Sequence, residues 1–527
     1  MVDTFVFAAC AIAYLAATMF LGYLGYRHTR GAEDFMVAGR KVSPVILGLS
    51  YGATFISTSA IVGFGGLASL YGTGLIWLTV LNIGVGIFVA FVIYGKKTRS
   101  IGRELGAVTF PDLLGKRFKS PFMQYTAGSL MLVAMPLYTA AIMIGGAWFI
   151  NTTFNIDYNL ALIGFSLITV TYVVFGGLLA VMYTDAFQGA LMLIGMTLLL
   201  AFTLVNVGGV TDGFTSLSNL SPQVPAFLQS GGLNSWTAMP ELGSSIWYTL
   251  VTTIVMGVGI GVLAQPQLSV RFMTAKDTKS LNRAVMVGGP FILMMTGVAF
   301  TVGALSNVWF WENKGQIAYT AAGNNVDNVI PLYINQATPE LFVVLFLIVL
   351  LAAAMSTLSA IFHTMGTTAG YDLYKHIMKK DEPSKRVTQI ATAIMMVVSI
   401  IVAFLMPSNI IARATAMFMG LCACAFLPAL TYGLYNKSPY ALPAKLSLSA
   451  GALTWFLWTV FVHTSEAKPL GISNVLFGQV TLLGAPFNVI DPLIVGLPVS
   501  IIALVIGLVI VKYKATDKRK GSQKIEQ

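Results

Sequence analysis

Long apolar runs, separated by shorter polar segments, follow one another along nearly the whole chain. Each run has about 20 residues or more, the length that an α-helix needs to cross the hydrocarbon layer of a bilayer. The pattern predicts an all-α polytopic membrane protein with thirteen spanning helices. The predicted spans are 3–26, 43–71, 74–95, 122–151, 159–182, 184–208, 244–268, 284–310, 340–368, 387–406, 411–435, 446–464 and 490–511.

The composition supports this class of protein. Of the 527 residues, 56% are hydrophobic and 10% are charged, whereas a soluble domain carries roughly 25% charged residues. The three cysteines, Cys10, Cys422 and Cys424, all lie in apolar runs. We interpret them as packing residues, without a disulfide framework or a metal-binding pair.

The distribution of basic residues predicts the orientation of the chain. The formal net charge of +11 raises the question of a nucleic-acid partner. However, all of the 31 lysines and arginines except Lys314, Arg413 and Lys468 fall on alternate loops on one side of the membrane. Because basic loops stay in the cytoplasm, we expect an outside N-terminus, a cytoplasmic C-terminus, a cell-membrane location and no nucleic-acid partner.

One apolar run carries closely spaced hydroxyl groups. Within 350–360, Ser356, Thr357 and Ser359 interrupt an otherwise aliphatic sequence, and Ala353 shares a helical face with the first two. A face of small and hydroxyl-bearing residues suits close helix packing. It also offers hard oxygen ligands to a small cation. The stretch by itself leaves both interpretations open.

Two predicted spans have the composition of poor helices. The span 43–71 is rich in glycine and hydroxyl residues, and 244–268 has glycines at mid-depth and Pro266 near one end. These residues weaken helices, glycine by roughly 1 kcal/mol and proline by roughly 3 kcal/mol. The two spans are the second and the seventh. That spacing predicts two inverted repeats of five helices, each opening with a broken helix.

These features divide the chain into six parts. The predicted parts are an extra N-terminal helix with a cytoplasmic loop at 1–42, the first repeat at 43–208, an extracellular loop at 209–243, the second repeat at 244–435, two extra helices at 436–511 and a cytoplasmic tail at 512–527.

A motif around the fifth and sixth spans gives a more specific signal. It consists of Tyr172, Gly176-Gly177, Ala180, Thr184-Asp185 and Gln188. In this motif the sequence resembles the sodium:solute symporter family. The resemblance extends to Ala53–Ile56, Gln265-Pro266 with Arg271, Ala352–Ser359 and Tyr371-Asp372. It implies a leucine-transporter-type fold with thirteen helices and sodium-coupled transport.

The resemblance implies a sodium site between the second and ninth spans. Its ligands would be the backbone carbonyls of Ala53, Ile56 and Ala353 and the hydroxyls of Ser356 and Thr357. The chemistry is suitable, because a hard cation prefers oxygen ligands and a broken helix leaves carbonyls without an amide partner. The expected coupling ion is therefore Na+.

Asp185 is the acidic residue that the sequence places near the membrane core. A carboxylate there is a functional candidate by default, and the resemblance implies a possible second sodium site with Ser356 and Ser359. Ala360 lacks the further hydroxyl that such a site would use. The alternative is a helix N-cap, because Thr184 and Asp185 open the predicted sixth span.

The resemblance also places a solute pocket beside the two breaks. The predicted substrate-binding residues are Thr54, Ser57, Thr58, Tyr138, Val258 and Val262. The two valines stand where proline carriers have aromatic residues, which argues for a more aliphatic pocket. Arg271 is a candidate inner-gate residue, although cytoplasmic anchoring explains it equally well.

These observations predict a symporter that imports a small organic solute with sodium by alternating access. The sequence has no P-loop and no HExxH motif, so we expect no enzyme activity. The stretches 53–60 and 265–280 resemble those of pantothenate and monocarboxylate members of the family, and this resemblance implies a monocarboxylate or pantothenate-like solute. Proline or another amino acid, a sugar or sialic acid, and proton coupling remain alternatives, while a sensor or a channel fits less well. The expected partners are the solute, the sodium ion and the lipid bilayer, with no obligate protein partner evident.

Overall fold

The computed structural model describes residues 4–29, 31–173, 177–374, 385–406 and 410–525. Helices dominate these ranges, and the only β-pairing within them is an isolated bridge between Val42 and Ala275. The prediction of an all-α polytopic fold is therefore confirmed. Gly176 of the motif described above lies outside these ranges.

Fewer helices of membrane-spanning length are counted in the described ranges than the thirteen that the sequence predicts. In the described ranges, ten helices are long and apolar enough to cross a membrane, and the bent pair Ala441–Phe461 and Thr464–Leu470 makes an eleventh. Two features explain the difference from thirteen. The helical run 59–104 joins the second and third predicted spans, and the described fifth helix has only 16 residues. The count of thirteen stays a prediction.

The bounds of the helices follow the apolar runs closely. The uninterrupted long helices are Thr4–His28, Pro121–Phe154, Tyr158–Val173, Leu178–Asn206, Thr278–Lys314, Glu340–Thr367, Lys385–Leu405, Ala441–Phe461 and Pro492–Ile525. The segmented ones are Pro44–Phe55, Ser59–Phe64, Gly65–Tyr71, Gly72–Leu75, Ile76–Ile83, Gly84–Gly95 and Lys96–Glu104, then Ser245–Trp247, Tyr248–Met256, Gly257–Gly261, Val262–Ala264 and Pro266–Thr274, then Ile411–Leu421, Cys422–Phe426 and Leu427–Tyr435.

Short helices connect the long ones. They are Ala32–Val37, Ala38–Arg40, Phe110–Phe118, Val210–Asn219, Ser221–Gln223, Ala226–Gln229, Ala318–Ala321, Val326–Asn328, Val329–Ala337, Thr368–Tyr374, Thr464–Leu470, Ile472–Phe477 and Phe487–Val489. The predicted tail is a continuation of the last helix, which extends to Ile525.

The second predicted span is a broken helix, which we call the first broken helix (44–71). Its first half begins at an N-cap, where the Ser43 side chain accepts a hydrogen bond from the Ile46 amide and proline occupies the first turn. The helix stops after Phe55, because Ile56 adopts an extended conformation with φ −94° and ψ 107°. Helical structure resumes at Ser59–Phe64. The interruption predicted from the sequence is therefore present.

The second broken helix (245–274) is interrupted at a different place from the one its glycines suggest. Gln265 is extended, with φ −64° and ψ 124°, and Pro266 opens the next helix. A residue that precedes proline is disfavoured in the α-conformation, which accounts for the break. The glycines instead allow close packing, since a Cβ atom at Gly261 would lie 2.2 Å from the carbonyl oxygen of Met419.

The boundary between the fifth and sixth helices was predicted too late in the chain. The predicted fifth span ends at residue 182, but the sixth helix already begins at Leu178, after the extended Gly177. Asp185 thus lies two turns inside this helix, and the proposed N-cap role is wrong. The Thr184 hydroxyl donates to carbonyls of the preceding turn. The apolar run continues across this boundary, so hydropathy alone gave no signal there.

The polar segment 209–243 packs onto the end of the first broken helix. Trp236 is fully buried, and its indole nitrogen donates to the Leu70 carbonyl over 2.9 Å. Its own carbonyl accepts from the Thr73 amide at 2.7 Å. These bonds satisfy backbone groups at the helix end, which an unattached loop would leave to water.

The two outer glycines of the helix Gly257–Gly261 provide a matched test of this packing. We expect Gly261→Ala to lower stability by about 1–3 kcal/mol, because its methyl group would overlap the Met419 carbonyl. Gly257→Ala is the control, since the nearest atom to its added Cβ is 3.6 Å away. Thermal unfolding of the detergent-solubilised protein measures both. Equal melting temperatures for the two variants would contradict this packing.

Candidate functional site

The hydroxyl-bearing face of the helix Glu340–Thr367 contacts the interrupted end of the first broken helix. The Ser356 hydroxyl lies 2.9 Å from the Ala53 carbonyl oxygen. The Thr357 hydroxyl lies 3.1 Å from the Thr54 carbonyl oxygen and 3.3 Å from that of Ala53. All four residues are completely buried. The structure thus brings together oxygen atoms that are about 300 residues apart in sequence.

The helix break explains why these carbonyls are available. The last carbonyls of a helix have no amide partner within it, and they carry the partial negative charge of the helix dipole. In the first broken helix this end is buried, so Ser356 and Thr357 supply the donors. Both hydroxyls also approach the Ala353 carbonyl oxygen, at 3.1 and 3.2 Å.

The resulting group of neutral oxygens suits a small hard cation. Ligands about 2.4 Å from a cation and at right angles to each other lie about 3.4 Å apart. The observed oxygen separations of 2.9–3.3 Å are close to that spacing. Four of the five predicted sodium ligands, Ala53, Ala353, Ser356 and Thr357, belong to this group. Ile56 lies at the break, and in the described part of the chain no hydrogen bond joins its carbonyl to the group.

Asp185 is the centre of a second, charged network. Its Oδ2 atom accepts hydrogen bonds from Arg271 Nη2 at 2.7 Å, from Ser50 at 2.8 Å and from Thr54 at 3.2 Å. The guanidinium also donates to the Ser50 hydroxyl and to the Gln267 carbonyl. Asp185 and Arg271 are 0% and 1% exposed. A buried pair of this kind ties together the sixth helix and both broken helices.

Within the described residues, no hydrogen bond joins Asp185 to the two serines predicted to share a second sodium site with it. Ser359 donates to the Ser356 carbonyl, one turn back on its own helix. Over the residues described, Asp185 shares no hydrogen bond with Ser356 or Ser359, and its Oδ1 atom is buried without a hydrogen-bond partner. Arg271 instead supplies the positive charge beside this carboxylate. Sequence reasoning placed Arg271 near an inner gate but did not pair it with Asp185.

A narrow cavity of about 20 Å³ lies beside the break in the first broken helix. It is lined by Phe55, Ile56, Ser57, Ala60, Phe64, Leu78, Asn82, Tyr138, Val258, Thr296, Phe300, Thr415 and Met419. The lining contains no charged side chain. Tyr138 stacks on Phe418, with ring centroids 5.2 Å apart, which fixes the orientation of its ring.

Only some of the predicted solute-binding residues line this cavity. Ser57, Tyr138 and Val258 do, whereas Thr54, Thr58 and Val262 do not. Thr54 donates to Asp185, and Thr58 donates to the Ile142 carbonyl at 2.7 Å.

Ser57 caps the second half of the first broken helix. Its hydroxyl accepts from the Ser59 amide, and its carbonyl accepts from the amides of Ala60 and Ile61. The helix start is therefore already occupied by its own cap in this conformation.

Asn82 is a lining residue that the sequence analysis missed. It is 2% exposed, and its Oδ1 atom is buried with no hydrogen-bond partner among the residues described. A buried amide oxygen without a donor is unfavourable by about 1–3 kcal/mol. Asn82 is the lone amide within its apolar run, and that isolation was the available signal. Thr296 and Thr415 add two further hydroxyls to the cavity.

The family model described as "Sodium:solute symporter family" matches residues 35–441. The chain is 27% identical to sodium/proline symporter 2 of Staphylococcus saprophyticus, over 90% of this chain and 88% of that protein. It is also 27% identical to the sodium/pantothenate symporter of Haemophilus influenzae, over 86% of this chain and 88% of that protein.

One solved structure supports the fold. It is a Na+-coupled sialic acid symporter in a substrate-bound outward-open state, with a TM-score of 0.71 and 17% sequence identity. The alignment covers 95% of this chain and 98% of that one. This similarity concerns the arrangement of the helices.

The buried pair predicts a specific pattern of stabilities. We expect Asp185→Asn or Arg271→Gln alone to lower the free energy of unfolding by about 3–5 kcal/mol, because each leaves an uncompensated buried charge. The double variant Asp185→Leu with Arg271→Met removes both charges, and we expect it to be less destabilised than either single variant. Thermal unfolding in detergent measures all three.

The ion pair between Glu33 and Arg40 is the matched control, because Glu33 has a side chain that is 60% exposed. Glu33→Gln should change stability by less than about 1 kcal/mol. Additive losses at Asp185 and Arg271, with no recovery in the double variant, would show that the pair does not act as one unit.

Proposed function

This chain belongs to the sodium:solute symporter family, and from that premise we propose that it imports a small organic carboxylate together with sodium by alternating access. It is a multi-pass membrane transporter and not an enzyme. The observation that carries the proposal is the contact of Ser356 and Thr357 with the free carbonyl end of the first broken helix. That contact gathers the oxygen ligands of a cation at the junction of two separate helices.

We assign the coupling sodium to the carbonyls of Ala53, Ile56 and Ala353 and the hydroxyls of Ser356 and Thr357. The ion is cargo, bound and released once per cycle, and five neutral oxygens hold it without a fixed counter-charge. Bound there, sodium replaces the hydroxyl donors at the helix end and joins the first broken helix to the helix Glu340–Thr367. This contact favours one conformation and thereby raises the affinity for solute.

We propose one sodium per cycle. A second ion at Asp185, Ser356 and Ser359 would compete with the Arg271 guanidinium, which already donates to the Asp185 carboxylate at 2.7 Å. Two positive charges beside one buried carboxylate would leave a net buried charge. In this proposal Asp185 forms an ion pair with Arg271 and does not coordinate the transported ion.

The cavity lining supports a small and partly aliphatic carboxylate. Its uncharged walls offer an apolar surface together with the hydroxyls of Ser57, Tyr138, Thr296 and Thr415 and the amide of Asn82. Two of the relatives are named as symporters of proline and of pantothenate, and both of these solutes carry a carboxylate. With no basic side chain in the lining, hydrogen-bond donors and the nearby sodium would neutralise the solute. The cavity is narrow, so binding requires the surrounding helices to move apart.

The pair of Asp185 and Arg271 acts in this proposal as a latch at the inner end of the pathway. The pair joins the sixth helix to both broken helices. Nearby, the backbone amide of Val42, just before the first broken helix, donates to the carbonyl of Thr274 at the end of the second broken helix over 3.2 Å. Inward opening separates these elements. The proposed setting is the cell membrane, with the N-terminus outside and the C-terminus in the cytoplasm.

Uptake into proteoliposomes tests the proposed function. A set of labelled solutes (a monocarboxylate, pantothenate, proline and sialic acid) is supplied with an inward sodium gradient, with a potassium gradient, or with a pH gradient in sodium-free buffer. We expect accumulation of a carboxylate with the sodium gradient alone. Accumulation with the pH gradient in the absence of sodium would contradict sodium coupling. Accumulation of sialic acid and of none of the other solutes would contradict the proposal that the solute is a small, partly aliphatic carboxylate.

Removing either hydroxyl ligand should weaken sodium binding. We expect Ser356→Ala and Thr357→Ala each to raise the sodium concentration for half-maximal uptake roughly 5–50-fold, the equivalent of about 1–2.3 kcal/mol. The Hill coefficient should stay near one. Thr364→Ala is the control, because its hydroxyl donates to the Ala360 carbonyl one turn back on its own helix and makes no further hydrogen bond within the described residues. An unchanged sodium dependence in both ligand variants would remove these residues from the site.

Asn82 should affect solute binding more than sodium binding. We expect Asn82→Ala to raise the solute KM roughly 5–10-fold through loss of one hydrogen bond, with the sodium dependence shifted less. Thr79→Ala on the same helix is a matched control, since Thr79 is buried but does not line the cavity. An equal effect of both substitutions on KM would indicate a general disturbance of the helix and argue against a direct solute contact.

A further inference from the structure

A second group of titratable side chains lies away from the sodium and solute sites. His463, Glu466 and Asp491 lie between the helix Ala441–Phe461 and the last helix, beyond the 35–441 range of the family match. They are only 1%, 2% and 6% exposed. One ligand atom from each side chain lies within 4.8 Å of those of the other two. The transport cycle proposed above uses none of them.

Local structure brings these three side chains together. His463 immediately precedes the helix Thr464–Leu470, and Glu466 is three residues later, so both side chains lie on one face of a helical turn. Asp491 precedes the last helix, and its Oδ1 atom accepts from the Leu493 amide at 2.7 Å. The Trp458 indole donates to the Ile490 carbonyl at 2.9 Å, which fastens the two helix ends side by side.

The charges of this group call for a cation. Two buried carboxylates close together repel one another and are unfavourable without a positive partner. His463 Nδ1 already makes a hydrogen bond with Glu466 Oε2. Even a protonated histidine leaves the group with one net negative charge. Arg413 also interacts electrostatically with His463, but its own side chain is exposed to solvent.

A cavity lies next to the helical turn that carries Glu466. This cavity, of about 170 Å³, is lined by Arg413, Thr253, Tyr319 and Ser465, among other residues. Ser465 is the neighbour of Glu466 in the chain and lies within the same helical turn. The cavity therefore borders the helical turn that carries Glu466, although the three side chains themselves are not among its lining residues.

We propose that His463, Glu466 and Asp491 form a zinc site. Zn²⁺ accepts one imidazole nitrogen and two carboxylate oxygens as protein ligands, and a water molecule completes the tetrahedron. The ion would replace the hydrogen bond between His463 and Glu466, and because zinc ligands must be deprotonated, binding should weaken at acidic pH. Bound zinc would cross-link the ends of the last two long helices.

Zinc titration of the purified full-length protein tests the site. The metal-stripped protein in detergent is titrated with ZnCl₂ against a chromophoric chelator, and its melting temperature is measured with and without zinc. We expect one tightly bound zinc ion per chain and a higher melting temperature. His463→Ala and Asp491→Asn should each weaken binding by more than roughly 100-fold, because even the loss of a supporting residue weakens metal sites 10–100-fold.

Three variants separate metal binding from folding. Asp491→Asn keeps an oxygen that accepts from the Leu493 amide, so the helix cap survives while the charged ligand is lost. His463→Cys should retain zinc, because thiolate is also a zinc ligand. His28→Ala is the control, since His28 is exposed at the end of the first helix.

Several outcomes would overturn the assignment. They are the absence of stoichiometric zinc binding to the wild type, the same affinity in His463→Ala and Asp491→Asn as in the wild type, and calcium binding as tight as zinc binding. X-ray absorption at the zinc edge should show nitrogen and oxygen ligands at about 2.0–2.2 Å. Sulfur ligands in the wild type would place the zinc elsewhere.

Discussion

The constraint on which the structure depends is the need to satisfy backbone carbonyls where a helix stops inside a membrane. The lipid interior offers no water, so an open carbonyl must find a donor or a cation within the protein. At Ala53 and Thr54 the donors are the hydroxyls of Ser356 and Thr357. These hydroxyls are small enough to allow the two helices to pack closely, and their oxygen atoms remain available as ligands. In the proposed transport cycle, packing and ion binding are therefore two uses of one contact.

The second broken helix joins this arrangement through charge. Arg271 lies just past the break at Gln265 and reaches Asp185 on the sixth helix and Ser50 on the first broken helix. The network of Ala53, Thr54, Ser356 and Thr357 is neutral, which suits the reversible binding of an ion that we propose for it. The other is a buried ion pair that is unfavourable to separate into isolated charges. Thr54 belongs to both, because its carbonyl faces Thr357 and its hydroxyl donates to Asp185. In the proposed transport cycle, a rearrangement at the sodium site acts on the latch through Thr54.

Hydropathy predicted the all-helical architecture and most helix bounds to within a few residues, since burial in lipid depends directly on apolar length. The hydroxyl face of Ser356 and Thr357 was also readable, because helical periodicity places both on one side. Other features were not. The start of the sixth helix at Leu178 lies within a continuous apolar run, and the Asp185–Arg271 pair joins residues 86 positions apart. The cavity role of Asn82 depends on tertiary packing, and its isolation as the lone amide of an apolar run was the only local signal for it.

Hydrogen exchange in the presence of sodium tests the central claim most directly, and it requires no knowledge of the solute. Exchange is followed by mass spectrometry in sodium and in potassium at equal ionic strength, for the wild type and for Ser356→Ala with Thr357→Ala. Sodium should slow exchange in peptides covering 52–60 and 350–360 of the wild type, and this protection should disappear in the double variant. Equal exchange in the two salts, or sodium protection that persists in the variant, would contradict a sodium site at this helix junction.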